Sequence, residues 1–244
     1  MLQRDISRCR ACPRLVSWRE EVARTKVARF RSAPYWGAPV PGFGDPAARI
    51  LIVGLAPAAH GANRTGRMFT GDRSGAFLFA ALHRAGFANQ ARSDSRADGL
   101  ALTEVYIVAS VRCAPPANLP KPDEVARCAP FLDAEIALLP RVRVFLALGA
   151  IAWRSCVEHL ERRGQAPWTR RPQFSHGAAL AIGEPDGPDL AAGDSQAAAL
   201  AIGDRARHPW LLGSYHVSQQ NTQTGRLTPA MFDEILESAR RCAS

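Results

Sequence analysis

The chain has 244 residues, 47% of them hydrophobic, with a mean hydropathy of −0.14, so it can bury a core and wholesale disorder is excluded. No apolar run is long enough for a transmembrane helix, and the N-terminus, MLQRDISRCRACPRLV, lacks the apolar stretch of a signal peptide; the expected compartment is the cytosol. The 31 basic and 22 acidic residues leave a net charge of +9, which suits a polyanionic partner but also follows from a plain bias toward Arg and Ala.

The first strand signal is ARILIVGLAP, Ala48 to Pro57, in which Ile50–Val53 form the continuous apolar run of a strand covered on both faces. A helix is expected over Ser74–Gly86, with Phe77, Leu78, Ala81, Leu82 and Ala85 on one period and Gly86 as its C-terminal stop. A second strand spans Thr103–Val111. Pro122–Leu139 reads as helical, broken near Pro130. Val142–Leu148 is a third strand and Gly149–Arg163 a third helix. Between Phe174 and Arg207 the pattern degrades: AALAIG occurs at Ala178–Gly183 and at Ala198–Gly203, read as two short strands around a mobile insertion at 184–196. Thr228-Pro229 is an N-cap followed by proline, opening a last helix with Met231, Ile235, Leu236 and Ala239 on one face. Alternating strands and helices imply one α/β domain over 1–244, a mostly parallel sheet with helices on both faces. Ligands of such folds bind beyond the carboxyl ends of the strands.

Six cysteines in a cytosolic chain point away from disulfides. Cys9 and Cys12 form a C-x2-C pair, whose thiolates converge on one centre. Cys113 and Cys128, separated by 14 intervening residues, complete a four-sulfur set for zinc or a [4Fe–4S] cluster. The uneven spacing is not that of a zinc ribbon and is easier to reconcile with a cluster. The competing reading makes Cys113 and Cys128 ordinary buried thiols. Cys156 and Cys242 are expected to have no ligand role.

Three loops carry chemistry. Gly54–Asp72, directly after the first strand, holds glycines for close backbone approach, Arg64 and Arg67 for phosphates, Phe69 for stacking on a base, and the carboxylate of Asp72. Core packing is the alternative for Phe69, and a helix N-cap for Asp72. No Gly-Lys-Ser/Thr ending is present, so this is no Walker A loop. Arg112–Pro120 is stiffened by proline and presents Asn118 as an amide for a base edge, or is a structural loop around a metal ligand. Gly213–Thr228 is densely polar and suits phosphate contacts, with a plain surface loop as its alternative; Leu227, read as exposed, is not by itself a wedge.

GLAPAAHG, GRMFTGDRSG, VRCAPPAN, HVSQQNTQTGRLT and the four cysteines resemble the family 5 (type B) uracil-DNA glycosylases, the iron–sulfur branch of that superfamily, over all of the chain except about 184–196. The resemblance implies a three-layer α/β/α sandwich. It implies hydrolytic excision of uracil, and of other deaminated bases such as hypoxanthine and xanthine, by a monomer, from duplex DNA and, as a further expected substrate, single-stranded DNA. Cys9, Cys12, Cys113 and Cys128 would bind [4Fe–4S]. His216 would take the charge of the leaving base. Phe69 would stack on that base, Gly54, Ala56 and Asn118 would contact it, and Asp72 would be the catalytic carboxylate. Arg64, Arg67, Gln220, Asn221, Thr222 and Arg226 would bind DNA.

Ala56 stands where other branches often carry Asp or Asn, a departure that this branch shares. His216-Val217-Ser218 replaces the usual His-Pro-Ser. Small Ala56 and Ala109 suggest broad base tolerance. Only Lys26 and Lys121 are lysines, neither within a motif, which argues against a lyase step through an imine. The rivals are a non-catalytic iron–sulfur nucleic-acid-binding module and an iron–sulfur redox protein; the absence of a dinucleotide fingerprint after the first strand counts against the latter.

Overall fold

Short apolar runs become the strands of one sheet in the computed structural model, which describes residues 1–166, 168–182 and 209–244. The strands are β1 (Phe43–Gly44), β2 (Ile50–Gly54), β3 (Val105–Ala109), β4 (Val144–Leu148), β5 (Ala179–Ala181) and β6 (Trp210–Ser214), in the order β1-β3-β2-β4-β6-β5. The four central strands are parallel, with Ile50 opposite both Val105 and Val144, and Val144 opposite Trp210. The two edge strands, β1 and β5, run antiparallel.

The helices are α1 (Leu2–Arg8), α2 (Pro13–Thr25), α3 (Ala62–Thr65), α4 (Arg73–Arg84), α5 (Pro122–Ala137), α6 (Ala150–Arg162), α7 (Gln219–Gln223) and α8 (Pro229–Ala243), with a 3₁₀ turn at Ala28–Phe30. Side chains alternate across β2. Ile50 and Ile52 pack with Leu78, Leu82, Phe232 and Leu236 of α4 and α8. Leu51 and Val53 pack with Leu132, Trp153, Val157 and Leu160 of α5 and α6. A sheet buried on both faces between two helical layers is the expected α/β/α arrangement.

Three details differ from the sequence expectation. Helix α5 continues through Pro130 instead of breaking there. The proline forgoes one backbone bond, but Leu132 and Glu135 beyond it are buried, and that packing holds the last turns in line. The polar stretch after His216 is partly helical, because Ser218 caps α7 by accepting from the Asn221 N–H. Leu227 is wholly buried in the α4–α8 core. Of the two AALAIG strings, the first contains β5; the second, with the 184–196 insertion, lies outside the described residues. No described helix is long and apolar enough to cross a membrane.

Candidate active site

The chain leaves β2 at Gly54 and covers the carboxyl end of the sheet with the loop to α4. The Phe69 ring lies directly on Gly54: a Cβ there would come within 2.9 Å of the ring, so the glycine is what admits the aromatic face. Phe69 has φ +52°, a left-handed conformation that costs a non-glycine residue on the order of 1 kcal/mol. The first turn of α4 presses on its backbone, where a Cβ at Gly75 would lie 1.7 Å from the Phe69 carbonyl oxygen.

Asp72 is the N-cap of α4. Its Oδ1 accepts from the Gly75 N–H at 2.9 Å. The other oxygen lies against Gly61, where a Cβ would come within 1.8 Å of Oδ2. Burial raises its pKa above the ordinary value of 3.8, against the opposing pull of the Gly75 and Ser74 N–H groups and of Arg64. Capping and a carboxylate set beside the Phe69 loop therefore coexist in one residue.

From the other side, β6 delivers Tyr215 and His216. The Gly149 N–H donates to the Ser214 carbonyl at 2.8 Å, joining the ends of β4 and β6. The Asn221 amide of α7 donates to the His216 carbonyl at 2.8 Å. The His216 ring faces Phe69 with centroids 6.2 Å apart and planes tilted by 35°. The residue is half-buried, and burial pushes its pKa down to about 4, so at neutral pH the imidazole is uncharged and carries one N–H to donate. The structure thus brings Gly54, Phe69 and His216 together, with Asp72 on the same loop as Phe69. Ala56 packs beside Leu15, Val111 and Cys113, and Asn118 is exposed on the 3₁₀ turn after Cys113 with φ +56°.

Two arginines expected to be phosphate ligands make contacts within the protein. Arg67 is 4% exposed; its guanidinium donates to Thr70 and Ser93 and pairs with Asp98 at 2.7 Å. Arg64 donates to the carbonyls of His60 and Gly71 at 2.9 and 3.0 Å. Both brace the loop from within. Asn221 is likewise committed to the His216 carbonyl. Gln220 and Arg226 are exposed, and Arg226 lies 4.5 Å from the centre of the Tyr215 ring, which also stacks on His176 at 4.7 Å. Thr222 is half-buried, its hydroxyl bonded to the Ser218 carbonyl at 3.2 Å.

Cys9, Cys12, Cys113 and Cys128 line one pocket, walled by Leu15, Val111 and Phe131. Among the described residues no three His, Cys, Asp or Glu groups are close enough to hold a single metal ion. Burial pushes Cys113 up to about 12. Yet Arg19, 2% exposed, donates to its Sγ at 3.2 Å, has an unpartnered Nε, and meets Glu20 only at 3.6 Å. The Arg112 N–H donates to Cys128 Sγ at 3.3 Å. The buried guanidinium meets one carboxylate, loosely at 3.6 Å, and otherwise a neutral thiol; thiolates bound to a multi-iron group would supply a closer counter-charge, so the donor set fits such a group better than one ion. Cys156 and Cys242 lie in the core, apart from this pocket. Arg19 and the Asn221–His216 bond were not legible in the sequence, because nothing local marks either contact.

Residues 41–240 match the family model described as the uracil DNA glycosylase superfamily. The chain is 51% identical over 243 residues to a type-5 uracil-DNA glycosylase of Mycobacterium leprae, covering 99% of this chain and 94% of that one. It is 51% identical to a type-5 uracil-DNA glycosylase of Thermus thermophilus (98% and 95% covered). It is 41% identical to one of Pyrobaculum aerophilum (95% and 87% covered).

Proposed function

The chain belongs to the uracil-DNA glycosylase superfamily, and from that premise we propose that it excises uracil from DNA by hydrolysing the N-glycosidic bond. The observation that carries the reading is the pairing of the Phe69 face with an uncharged His216 over Gly54, at the carboxyl end of the sheet. A base inside a duplex is out of reach, so the nucleotide is extruded, at a cost of a few kcal/mol that is least at a mismatch. Phe69 stacks on the extruded base. As the bond breaks, charge gathers on the base, and the His216 N–H donates to it. Asp72 stabilises the cationic sugar or orients the attacking water; Asn118 contacts the base edge, and Gln220, Thr222 and Arg226 approach the DNA backbone.

Ala56 and Ala109 carry no polar group with which to discriminate among bases, so hypoxanthine and xanthine are included. The four thiolates hold a [4Fe–4S] cluster; when bound, it supplies iron–thiolate bonds that staple the α1–α2 segment to the end of β3. Neither lysine serves an imine: the Lys26 ammonium bonds the Ala33 carbonyl at 2.9 Å, and Lys121 is exposed at the start of α5. Incubation with a duplex carrying one uracil is expected to release free uracil and leave a strand that breaks only on alkaline treatment. No released base refutes the activity, and cleavage without alkali refutes hydrolysis as the sole step.

A further inference from the structure

We propose a second DNA-contacting subsite on the Ala28–Trp36 segment, built on Arg29 and Phe30, that grips the phosphate backbone flanking the extruded nucleotide. It rests on the reading that this chain processes DNA.

The segment follows α2 and carries no motif. Phe30 is half-buried between two guanidinium groups, Arg29 at 4.6 Å and Arg64 at 3.9 Å from the ring centre. Arg29 is exposed and, among the described residues, has no carboxylate partner. Its charge is felt nearby: burial first, then Arg29 and Arg64, hold His60 below its usual pKa. This is therefore a cation left in solvent and fixed in direction by an aromatic ring, an arrangement that suits a phosphate better than a random surface arginine does.

The segment is also sutured to the loop that bears Asp72. The Trp36 and Gly37 N–H groups donate to the Arg64 and Asn63 carbonyls at 2.9 and 3.0 Å. The Tyr35 hydroxyl bonds His60 Nδ1 at 2.9 Å, and the Trp36 ring sits on Gly66. Arg64 itself connects the Phe30 ring to the Gly71 carbonyl, next to Asp72. A load on Arg29 thus reaches the catalytic loop through a rigid bracket. The ordering cost of the contact is largely met before DNA arrives. Arg64 is the member that positions Phe30.

The test is binding of a uracil-free duplex over a range of salt, which reads the subsite whether or not uracil is excised. Arg29→Gln, an exposed substitution that leaves the fold intact, should weaken binding about three- to tenfold and make the salt slope shallower by about 0.9, one phosphate contact. Phe30→Leu should weaken binding in the same direction. Arg163→Gln, at the far end of α6, is the control. An unaltered slope in Arg29→Gln, or an equal loss in Arg163→Gln, overturns the proposal; a failure of uracil release with the slopes as expected overturns the excision reading and leaves the subsite standing.

Discussion

Asp72 holds a helix end and a candidate catalytic charge at once, and Asp72→Asn separates the two. Asn caps a helix about as well as Asp, so the bond to the Gly75 N–H is retained and the roughly 1 kcal/mol that Asp72→Ala would cost is not incurred. The folded-state pKa of Asp72 is raised, so its ionised form opposes folding at every pH above the unfolded value of 3.8; a neutral Asn relieves that penalty. The melting temperature of Asp72→Asn near pH 7 should therefore equal or exceed that of the wild type. The charge is gone, however, and single-turnover excision from a U·G duplex should slow by at least about tenfold, or about 1.4 kcal/mol of barrier. Gly61→Ala provides a second arm: its Cβ would come within 1.8 Å of Oδ2, so the carboxylate must move and excision must slow although Asp72 is intact. A full rate in Asp72→Asn refutes a catalytic role and leaves only the cap.

Three further outcomes follow from the same geometry. Arg67→Gln breaks a buried pair with Asp98 and should cost about 3 kcal/mol of stability while leaving the salt slope of DNA binding unchanged; a stable variant with a shallower slope would restore Arg67 as a phosphate ligand. Asn221→Ala removes the donor to the His216 carbonyl and should lower excision several-fold, for a loss of about 1 kcal/mol, with little change in duplex affinity; a pure affinity defect would make Asn221 a DNA contact instead. With a folded-state value of about 4 against 6.5 unfolded, burial of His216 carries no charge penalty above pH 6.5 and increasingly destabilises the fold as pH falls toward 4. The excision profile should show no inflection from this residue between pH 5.5 and 8, and one near 6.5 would contradict the uncharged imidazole.

The sheet and its main helices were legible because their signals are local. Ile50–Val53 and Val144–Leu148 are apolar runs of strand length, and Thr228-Pro229 is a cap whose Thr228 hydroxyl accepts from the Met231 N–H. The pair of Phe69 and His216 was reached through motif resemblance, and the structure places their rings 6.2 Å apart with planes tilted by 35°. Residues misread were those whose role depends on distant partners. Arg67 looks like a phosphate ligand until Ser93 and Asp98, 26 and 31 residues away, close around it. Leu227 looks exposed in a polar stretch until α8 folds it into the core. Pro130 looks like a helix breaker because local propensity takes no account of the burial of Leu132 and Glu135. Helices α1 and α2 went unread, their apolar positions interleaved with arginines and cysteines.

The central claim is that an uncharged His216 beside Phe69 receives the charge of a departing base. The direct measurement is the single-turnover rate of uracil release from a U·G duplex, at saturating enzyme, for His216→Ala against the wild type. Loss of one preorganised donor to the leaving base should slow release about a hundredfold with duplex affinity preserved. Release at the wild-type rate would contradict the account.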